Sequence, residues 1–235
     1  MPANQQDLYF IFSFGKVGTV SLQQHLQEHL GRQFMWVEKL YLNLHQVLDI
    51  PEERRAAMRV VMGHSLLCNT HIFFPGRPYR YLTILRDPAE RLVSHYNYDM
   101  QVLYENEGKP EISFEEWYVA HDMGNNYMFR GLMRFFSRLG TDEAFDFPRV
   151  RQLMGYILSQ FWAVYWTDAL DQQVKGLFRE LGVPETMQRR NVAGKDHPKR
   201  LILTPELRSR LYRENLLDLY LFQKVSGIEK IKINE

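Results

Sequence analysis

The sequence lacks the features of a secreted or membrane-anchored protein. Its 235 residues include one cysteine, Cys68, which excludes an internal disulfide and suits a reducing compartment. No long apolar run opens the chain: the polar residues 1–7 are followed by an apolar stretch of strand length only, which predicts neither a signal peptide nor a membrane anchor. We therefore expect a cytoplasmic protein with no membrane partner.

The chain also lacks a large excess of positive or negative charge, and it lacks a linker that would divide it into domains. With 29 Lys and Arg against 28 Asp and Glu, it has no whole-molecule attraction for nucleic acid. An anionic substrate would have to meet a local patch, for which the candidates are Arg77, Arg80, Arg130 and Arg134. No repeat or Pro/Gly/Ser-rich linker interrupts a chain that is 45% hydrophobic, so we predict one domain spanning 1–235.

Two glycines follow the first apolar segment. Residues 8–14 (LYFIFSF) are typical of a buried strand, and Gly15 and Gly18 allow a sharp turn that brings backbone amides close to a ligand. Leu22, Leu26 and Leu30 are spaced four residues apart. This spacing predicts that 19–30 form an amphipathic helix that begins at this turn.

The start of that helix is a predicted phosphate site. Unpaired amides attract phosphate there, while Lys16 adds a mobile positive charge and Thr19 and Ser21 add hydroxyl donors. The loop is not a Walker A motif, because Lys16 precedes the second glycine instead of following it. A turn whose glycines serve only geometry is the alternative. The predicted contacts are Gly15, Lys16, Val17, Gly18, Thr19, Val20 and Ser21.

A second strand-to-helix junction offers another anion site. Asp87 can cap a helix and Pro88 fits its first position, so Arg86 lies at the carboxyl end of the preceding strand. The donor fork of Arg86 suits phosphate, and Ser94, about two turns further on, can add a hydroxyl. Arg91 could join them or form a surface ion pair. A capped helix with an exposed arginine is the alternative interpretation.

Strands and helices alternate along the chain. This order predicts an α/β fold whose parallel sheet is covered by helices on both faces, with ligands at the carboxyl ends of the strands and a mainly helical second half. The predicted strands are 8–14, 33–37, 60–63, 80–85 and 163–166, and the predicted helices are 19–30, within 39–59, 88–104 and 168–181.

The two anion-binding segments resemble the cofactor signatures of sulfotransferases that use 3′-phosphoadenosine 5′-phosphosulfate (PAPS). The residues that match the loop for the 5′-phosphosulfate are Lys16, Gly18, Thr19 and Ser21, and those that match the segment for the 3′-phosphate are Arg86, Arg91 and Ser94. Two departures occur: Phe14 and Gly15 replace a residue-proline pair, and Val20 replaces a hydroxyl residue. The resemblance implies a P-loop-NTPase-like fold and transfer of a sulfuryl group from PAPS to a hydroxyl.

A third segment resembles the carbohydrate sulfotransferases related to heparan sulfate 2-O-sulfotransferase. Residues 60–64 (VVMGH) are strand-like and end in Gly-His, and the corresponding histidine of that family is its proposed catalytic base. Carried over, His64 would take the proton of a carbohydrate hydroxyl, and Lys16 would stabilise charge on the leaving phosphate. Without an anchor, the chain resembles a bacterial relative or a trimmed catalytic core. A structural histidine is the alternative.

The resemblance extends from about residue 8 to residue 220 and is weaker after the three segments described above. Asn126 and Arg130 match the family's helix start, and Asn191 with Lys195 matches its cofactor-covering loop. Together with arginines of the local patch, they give Arg77, Asn126, Arg130 and Arg134 as the candidate substrate-binding residues. Capping and surface roles are the alternatives for these residues.

Other functions fit parts of the sequence. His25, Glu28 and His29 match the H-x-x-E-H zinc pattern, but the histidines flank the leucine stripe of a predicted helix, where polar boundary residues are expected, so we predict no metal. A nucleotide-dependent phosphotransferase would need Mg²⁺ carboxylates near the loop. Asp87 is the obvious candidate, and helix capping already explains it. A non-catalytic nucleotide-binding module is a third possibility.

Overall fold

A computed structural model of the chain describes residues 7–37, 49–64, 66–102, 112–121, 125–137, 147–188 and 200–227. Within these ranges five strands form one sheet, in the order β2-β3-β1-β4-β5, and every neighbouring pair is parallel. The strands are β1 (Leu8–Ser13), β2 (Phe34–Val37), β3 (Val60–Gly63), β4 (Tyr79–Leu85) and β5 (Ala163–Trp166).

Helices flank the sheet and dominate the second half of the chain, which confirms the predicted α/β class with a parallel sheet. The helices are α1 (Thr19–Leu30), α2 (Glu52–Ala57), α3 (Pro88–Gln101), α4 (Phe114–Ala120), α5 (Tyr127–Ser137), α6 (Phe147–Ser159), α7 (Leu170–Gln173), α8 (Lys175–Leu181), α9 (Pro205–Glu214) and α10 (Leu216–Ser226). Short 3-10 turns lie at Gly31–Gln33, Thr70–Phe73 and Thr167–Ala169.

The strand order creates a crevice between β1 and β4. From β1 the chain crosses towards β2 at one edge of the sheet, and from β4 it continues to β5 at the other edge. Open parallel sheets bind ligands at such a reversal, outside the carboxyl ends of the two strands. The turn at Gly15 follows β1 and Arg86 follows β4, so both predicted anion sites open onto this crevice.

The pairing of β1 with β3 places His64 beside the end of β1. Phe12 is the partner of Gly63, so the next residues, Ser13 and His64, are neighbours. Gly63 is required for a steric reason, because a Cβ there would lie 2.0 Å from the carbonyl oxygen of Val37 on β2. The residue before the histidine therefore has to lack a side chain.

A separate hydrophobic cluster fixes the helix that follows Arg86. It joins α3, α4, α9 and α10 through residues such as Leu92, Trp117, Leu211 and Leu219. The larger cluster surrounds the sheet, and the strands themselves provide much of it. Burial in these two clusters stabilises the positions of β1, β4 and α3 around the crevice.

Two predicted helical regions differ from the structure. The predicted helix 168–181 is divided into a 3-10 turn, α7 and α8, and the side-chain oxygen of Gln173 accepts a hydrogen bond from the Trp166 amide at 2.9 Å. That bond ties the end of α7 back to β5, while backbone hydrogen bonds from Val174 to Leu170 and from Phe178 to Val174 continue across the division. Of the helices predicted within 39–59, α2 is described, whereas 38–48 lie outside the described residues. No helix in the described ranges is long and apolar enough to cross a membrane.

Candidate functional site

The loop after β1 presents the start of α1 without a side-chain cap. Lys16 has φ +66° and Gly18 has φ +83°, and such a left-handed backbone is uncommon for a residue with a side chain. Gly18 is the N-cap residue of α1 and makes no side-chain capping bond. The first amides of the helix, at Thr19, Val20 and Ser21, receive no cap from Gly18 and are placed to meet an anion.

Thr167 holds this loop from behind. Its hydroxyl lies 2.9 Å from the carbonyl oxygen of Val17 and 3.2 Å from that of Leu85, so it bridges the loop and the end of β4. A trans peptide places its C=O and N–H on opposite sides. Anchoring the Val17 carbonyl therefore turns the Gly18 amide away from Thr167.

Arg86 anchors the loop from the other side. Its Nη1 donates a hydrogen bond to the Lys16 carbonyl oxygen at 3.0 Å, and its Nη2 lies 3.7 Å from a carboxylate oxygen of Glu90. Its Nε is buried and makes no hydrogen bond within the described residues. The guanidinium group thus lies between the loop after β1 and the start of α3, and it joins the two predicted anion sites.

The Asp87 carboxylate caps the start of α3. Its Oδ1 accepts a hydrogen bond from the Glu90 amide at 2.9 Å, while its Oδ2 accepts one from the Tyr212 hydroxyl and lies 3.2 Å from Nη1 of Arg208. Burial raises the pKa of Asp87, and these donors oppose that shift. Because both carboxylate oxygens are engaged, Asp87 is poorly suited to bind Mg²⁺.

Arg91 and Ser94 have different surroundings on α3. Arg91 is fully buried, its guanidinium lies 4.5 Å from the centre of the Tyr127 ring, and its charge faces Asp218. Burial lowers the pKa of Arg91, and Asp218 opposes that shift. Arg91 is therefore not a surface residue, and its contacts favour a role in packing α3 against α5 and α10. Ser94 is half-buried on α3.

His64 has one ring nitrogen fixed and an exposed side chain. Its Nδ1 lies 2.8 Å from the Ser13 carbonyl oxygen and 3.1 Å from the Ser13 hydroxyl. Because a carbonyl oxygen can only accept, Nδ1 carries the hydrogen, and a neutral ring then has its lone pair on Nε2. The Trp36 ring packs against the imidazole at a near right angle, with 5.2 Å between ring centres. His64 therefore presents a proton acceptor beside the end of β1.

The Lys16 side chain is directed towards α3. Its ammonium group lies over the Tyr98 ring, 2.8 Å from the ring centre, which is a cation-π contact. Burial lowers the pKa of Lys16 to about 8, while Asp99 raises it and Arg86 lowers it. The group is therefore mainly protonated at neutral pH and carries a positive charge next to the loop.

The arginines at the start of β4 lie away from the crevice. Arg77 precedes β4 and donates a hydrogen bond to the Met58 carbonyl oxygen at 2.5 Å. Arg80 lies 2.6 Å from a carboxylate oxygen of Asp7 and 3.1 Å from one of Glu180. The 7 residues of β4 span about 20 Å, so the structure does not bring Arg77, a predicted substrate-binding residue, to the site.

Asn126 caps a helix. Its side-chain oxygen accepts hydrogen bonds from the amides of Leu217 at 2.8 Å and Asp218 at 3.3 Å, and its own amide donates to the Asn215 side chain at 3.0 Å. Asn126 has φ +52°, which asparagine tolerates better than most residues. These contacts join the start of α5 to the start of α10 and support the capping alternative for Asn126.

Helix α5 lies beside the loop after β1. A Cβ at Gly131 would be 2.4 Å from the ring of Phe14, the residue that precedes the loop. Arg130 is half-buried and Arg134 is exposed on this helix, so both remain substrate-binding candidates on a helix that packs beside the loop. The predicted cofactor residues Asn191 and Lys195 lie outside the described residues.

The zinc pattern on α1 has a structural explanation. His25 is buried, and its Nε2 lies 2.9 Å from the Pro184 carbonyl oxygen, so this nitrogen donates a hydrogen bond to the segment after α8. Burial lowers the pKa of His25, and His29 is exposed. Within the described ranges, no group of three or more His, Cys, Asp or Glu side chains could hold a metal ion.

Sequence reasoning missed Thr167, Tyr98 and Asp99. Thr167 directly follows the predicted strand 163–166, so its place at a carboxyl strand end was the available signal. Tyr98 and Asp99 follow the Ser94 motif on α3, but no local pattern links them to the loop, because the contact between Tyr98 and Lys16 depends on how the helix packs.

No protein-family model matches this chain, and a search among curated proteins likewise finds no match. The interpretation of the site therefore rests on its geometry. That geometry combines an uncapped helix start, two anchored loop carbonyls, an arginine between two junctions and an exposed imidazole of defined tautomer.

Proposed function

We propose that the protein transfers a sulfuryl group from PAPS to a hydroxyl group, with carbohydrates as the acceptor class, on a P-loop-NTPase-like sheet. The observation that carries this proposal is the meeting of an uncapped helix start, Arg86 and His64 around the carboxyl ends of β3, β1 and β4. Each of these three features belongs to a segment that resembles a sulfotransferase signature.

The chain would hold the cofactor by its two phosphate-bearing ends. PAPS supplies the sulfuryl group and leaves as 3′-phosphoadenosine 5′-phosphate (PAP). The amides of Gly18 and the first turn of α1 would bind the 5′ end, with Lys16 balancing the charge that grows on the leaving phosphate. Arg86 and Ser94 would bind the 3′-phosphate. Nη2 of Arg86 lies 3.7 Å from Glu90 and would turn to the phosphate, while Nη1 keeps the loop in place.

His64 would act as the general base. Its Nε2 lone pair would take the proton of the acceptor hydroxyl as the oxygen attacks sulfur and the bond from sulfur to the leaving phosphate oxygen breaks. The Ser13 carbonyl holds the Nδ1 hydrogen and would stabilise the imidazolium that forms. Arg130 and Arg134 on the adjacent helix would meet an anionic acceptor.

The rival proposal is phosphoryl transfer from a nucleotide. It needs carboxylates that hold Mg²⁺ near the loop, and the acidic residue at the second junction, Asp87, has both oxygens engaged by Glu90, Tyr212 and Arg208. The contacts of Asp87 favour sulfuryl transfer over phosphoryl transfer.

A transfer assay with parallel donors tests the proposed function. Labelled PAPS and labelled ATP with Mg²⁺ would each be incubated with a panel of hydroxyl-bearing carbohydrates. Sulfuryl transfer that EDTA leaves unchanged is expected, and Lys16→Ala should lower turnover far more than PAP affinity, since the charge that Lys16 neutralises is largest while the bond breaks. Mg²⁺-dependent transfer from ATP would establish the rival, and PAP binding without any turnover would indicate a binding module.

A further inference from the structure

Glu90 on α3 lies between two arginines. One of its carboxylate oxygens, Oε1, accepts a hydrogen bond from Nη2 of Arg208 on α9 at 3.1 Å. The other, Oε2, lies 3.7 Å from Nη2 of Arg86, which is too long for a hydrogen bond. Although Glu90 is only four positions from Arg86 in the sequence, the closer partner of its carboxylate is Arg208.

The Arg208 guanidinium group is held in place at the start of α3. Its Nη1 donates hydrogen bonds to Oδ2 of Asp87 at 3.2 Å and to the Tyr212 hydroxyl at 3.0 Å, in addition to the bond from Nη2 to Glu90. Tyr212 and Leu211 belong to the hydrophobic cluster that joins α9 to α3. The packing of these two helices therefore determines where the Arg208 charge lies.

The charge of Glu90 would oppose an anion at Arg86. A carboxylate that pairs closely with a guanidinium engages the donors that would otherwise bind a phosphate, and its negative charge repels a second anion. Arg208 acts against both effects, because it binds the carboxylate and places a compensating positive charge beside it. Nη1 of Arg86 can then hold the loop while Nη2 meets an anion.

We propose that Arg208 is a positioning residue for the anion site: by binding Glu90, it keeps Nη2 of Arg86 available to a phosphate. The phosphate belongs to the proposed function and rests on it, whereas the competition between Arg86 and Arg208 for the Glu90 carboxylate does not. Without Arg208, the carboxylate should close onto Arg86. Loss of the Glu90 charge should then release Arg86 again.

The variants Arg208→Met, Glu90→Gln and the two combined test this competition without a ligand. Phenylglyoxal modifies guanidinium groups, and peptide mass spectrometry measures the rate of modification at each arginine of the full chain. In Arg208→Met we expect the modification of Arg86 to slow several-fold, because the carboxylate closes onto the guanidinium. In the double variant the rate should return at least to the wild-type value.

Arg210→Met is the matched control. Arg210 lies on the same helix with nearly the same side-chain exposure, 34% against 36% for Arg208, but its carboxylate partner is Glu115, at 2.9 Å. The control variant also removes an ion pair from α9 and should leave the modification of Arg86 unchanged. Arg134, exposed on α5, provides an internal reference within each sample.

Two results would overturn the proposal. One is an unchanged rate at Arg86 in folded Arg208→Met, and the other is a slower rate that Glu90→Gln fails to reverse. If Arg208→Met does not fold, Arg208→Gln takes its place with the same expectation, since glutamine removes the charge but can still bond to the Tyr212 hydroxyl.

Calorimetry with PAP measures the consequence for the cofactor. Arg208→Met should weaken PAP binding several-fold, and the addition of Glu90→Gln should restore it, a rescue that general destabilisation would not produce. Weakened binding without rescue would refute this consequence. If the wild type binds no PAP, the proposed function fails, whereas the labelling experiment still decides the role of Arg208.

Discussion

His64 combines two properties that a general base needs. The Ser13 carbonyl binds its Nδ1 hydrogen at 2.8 Å, which leaves the lone pair on Nε2, and the side chain is exposed, so an acceptor hydroxyl can approach it. An exposed histidine contributes little to packing. Its replacement should therefore affect chemistry more than stability.

Replacing His64 with alanine tests this residue. Turnover should fall roughly 10² to 10⁴-fold, the usual cost of losing a general base, while PAPS affinity and melting temperature stay near those of the wild type. Single-turnover rates and thermal unfolding measure the two effects. The exposed His29 on α1 gives a matched control, since His29→Ala should retain full turnover. A fully active His64→Ala protein would transfer the base role to another residue.

His95 predicts how stability depends on pH. Burial lowers its pKa to about 4, whereas the pKa of a histidine in the unfolded chain is about 6.5. Between these values the unfolded state binds more protons, so the free energy of unfolding should decrease as the pH falls through this window. Asp218, whose pKa burial raises to about 6, contributes in the opposite direction, so a comparison of variants is needed.

His95→Phe provides that comparison. Removing the titrating group should flatten the loss of stability between pH 6.5 and 4 relative to the wild type, and urea denaturation at several pH values measures the slope. His29→Phe should keep the wild-type slope. Equal slopes for the wild type and His95→Phe would show that His95 titrates normally in the folded protein.

At the scale of elements, the conformation of the loop after β1 depends on residues that follow β4 and β5. Arg86 donates a hydrogen bond to the Lys16 carbonyl. The single hydroxyl hydrogen of Thr167 is within reach of the carbonyls of Val17 and Leu85, with Val17 the nearer. The ends of β4 and β5 therefore both orient the loop. A loop held in this way would bind an anion, as proposed, without an entropic cost of ordering. The left-handed backbone of Lys16 is kept by these contacts.

Thr167→Val should loosen this arrangement. The substitution removes the hydroxyl and keeps the shape, so we expect a loss of about 1 kcal/mol in stability and a several-fold weaker affinity for PAP. Denaturant unfolding and calorimetry measure these effects. Thr83 on β4 is the control, because its buried hydroxyl makes no hydrogen bond within the described part of the chain. Thr83→Val should be neutral or stabilising, and equal behaviour of the two variants would contradict the role of Thr167.

Sequence patterns predicted which segments form strands and helices better than they predicted which distant residues contact one another. Local hydrophobic periodicity was sufficient for β1, α1 and the junction at Arg86, because strand and cap signals lie within a few residues. The hydrogen bond from the Trp166 amide to the Gln173 side chain was not predictable, since it forms only in the folded sheet. The capping role of Asn126 likewise needs α10, which lies about ninety residues further along the chain.

At the scale of the whole molecule, the strand order decides which predicted residues meet. The order β2-β3-β1-β4-β5 brings the Gly15 turn, His64 and Arg86 to the carboxyl ends of three adjacent strands, as the alternation of strands and helices predicted. It places Arg77 at the amino ends of the strands, away from the site, because this arginine precedes β4. Sequence motifs supplied the candidate anion-binding residues, while only the folded sheet shows their mutual positions.

The position of Arg86 between the two junctions predicts how the chain distinguishes nucleotides. Arg86→Ala should remove most of any preference for a 3′-phosphate, since an arginine–phosphate contact contributes about 1.5 to 3 kcal/mol. Loss of the bond to the Lys16 carbonyl should also weaken binding of every nucleotide by a smaller factor. Arg134→Ala, on the exposed side of α5, is the matched arginine control and should keep the preference.

Calorimetric titration of the wild-type protein with PAP and with ADP tests the central claim most directly. Two anion sites at the β1–β4 crevice predict that PAP binds at least about tenfold more tightly than ADP, the factor that corresponds to about 1.4 kcal/mol. Equal affinity for the two nucleotides would contradict the claim that this crevice is built for a nucleotide with phosphates at both its 3′ and 5′ positions.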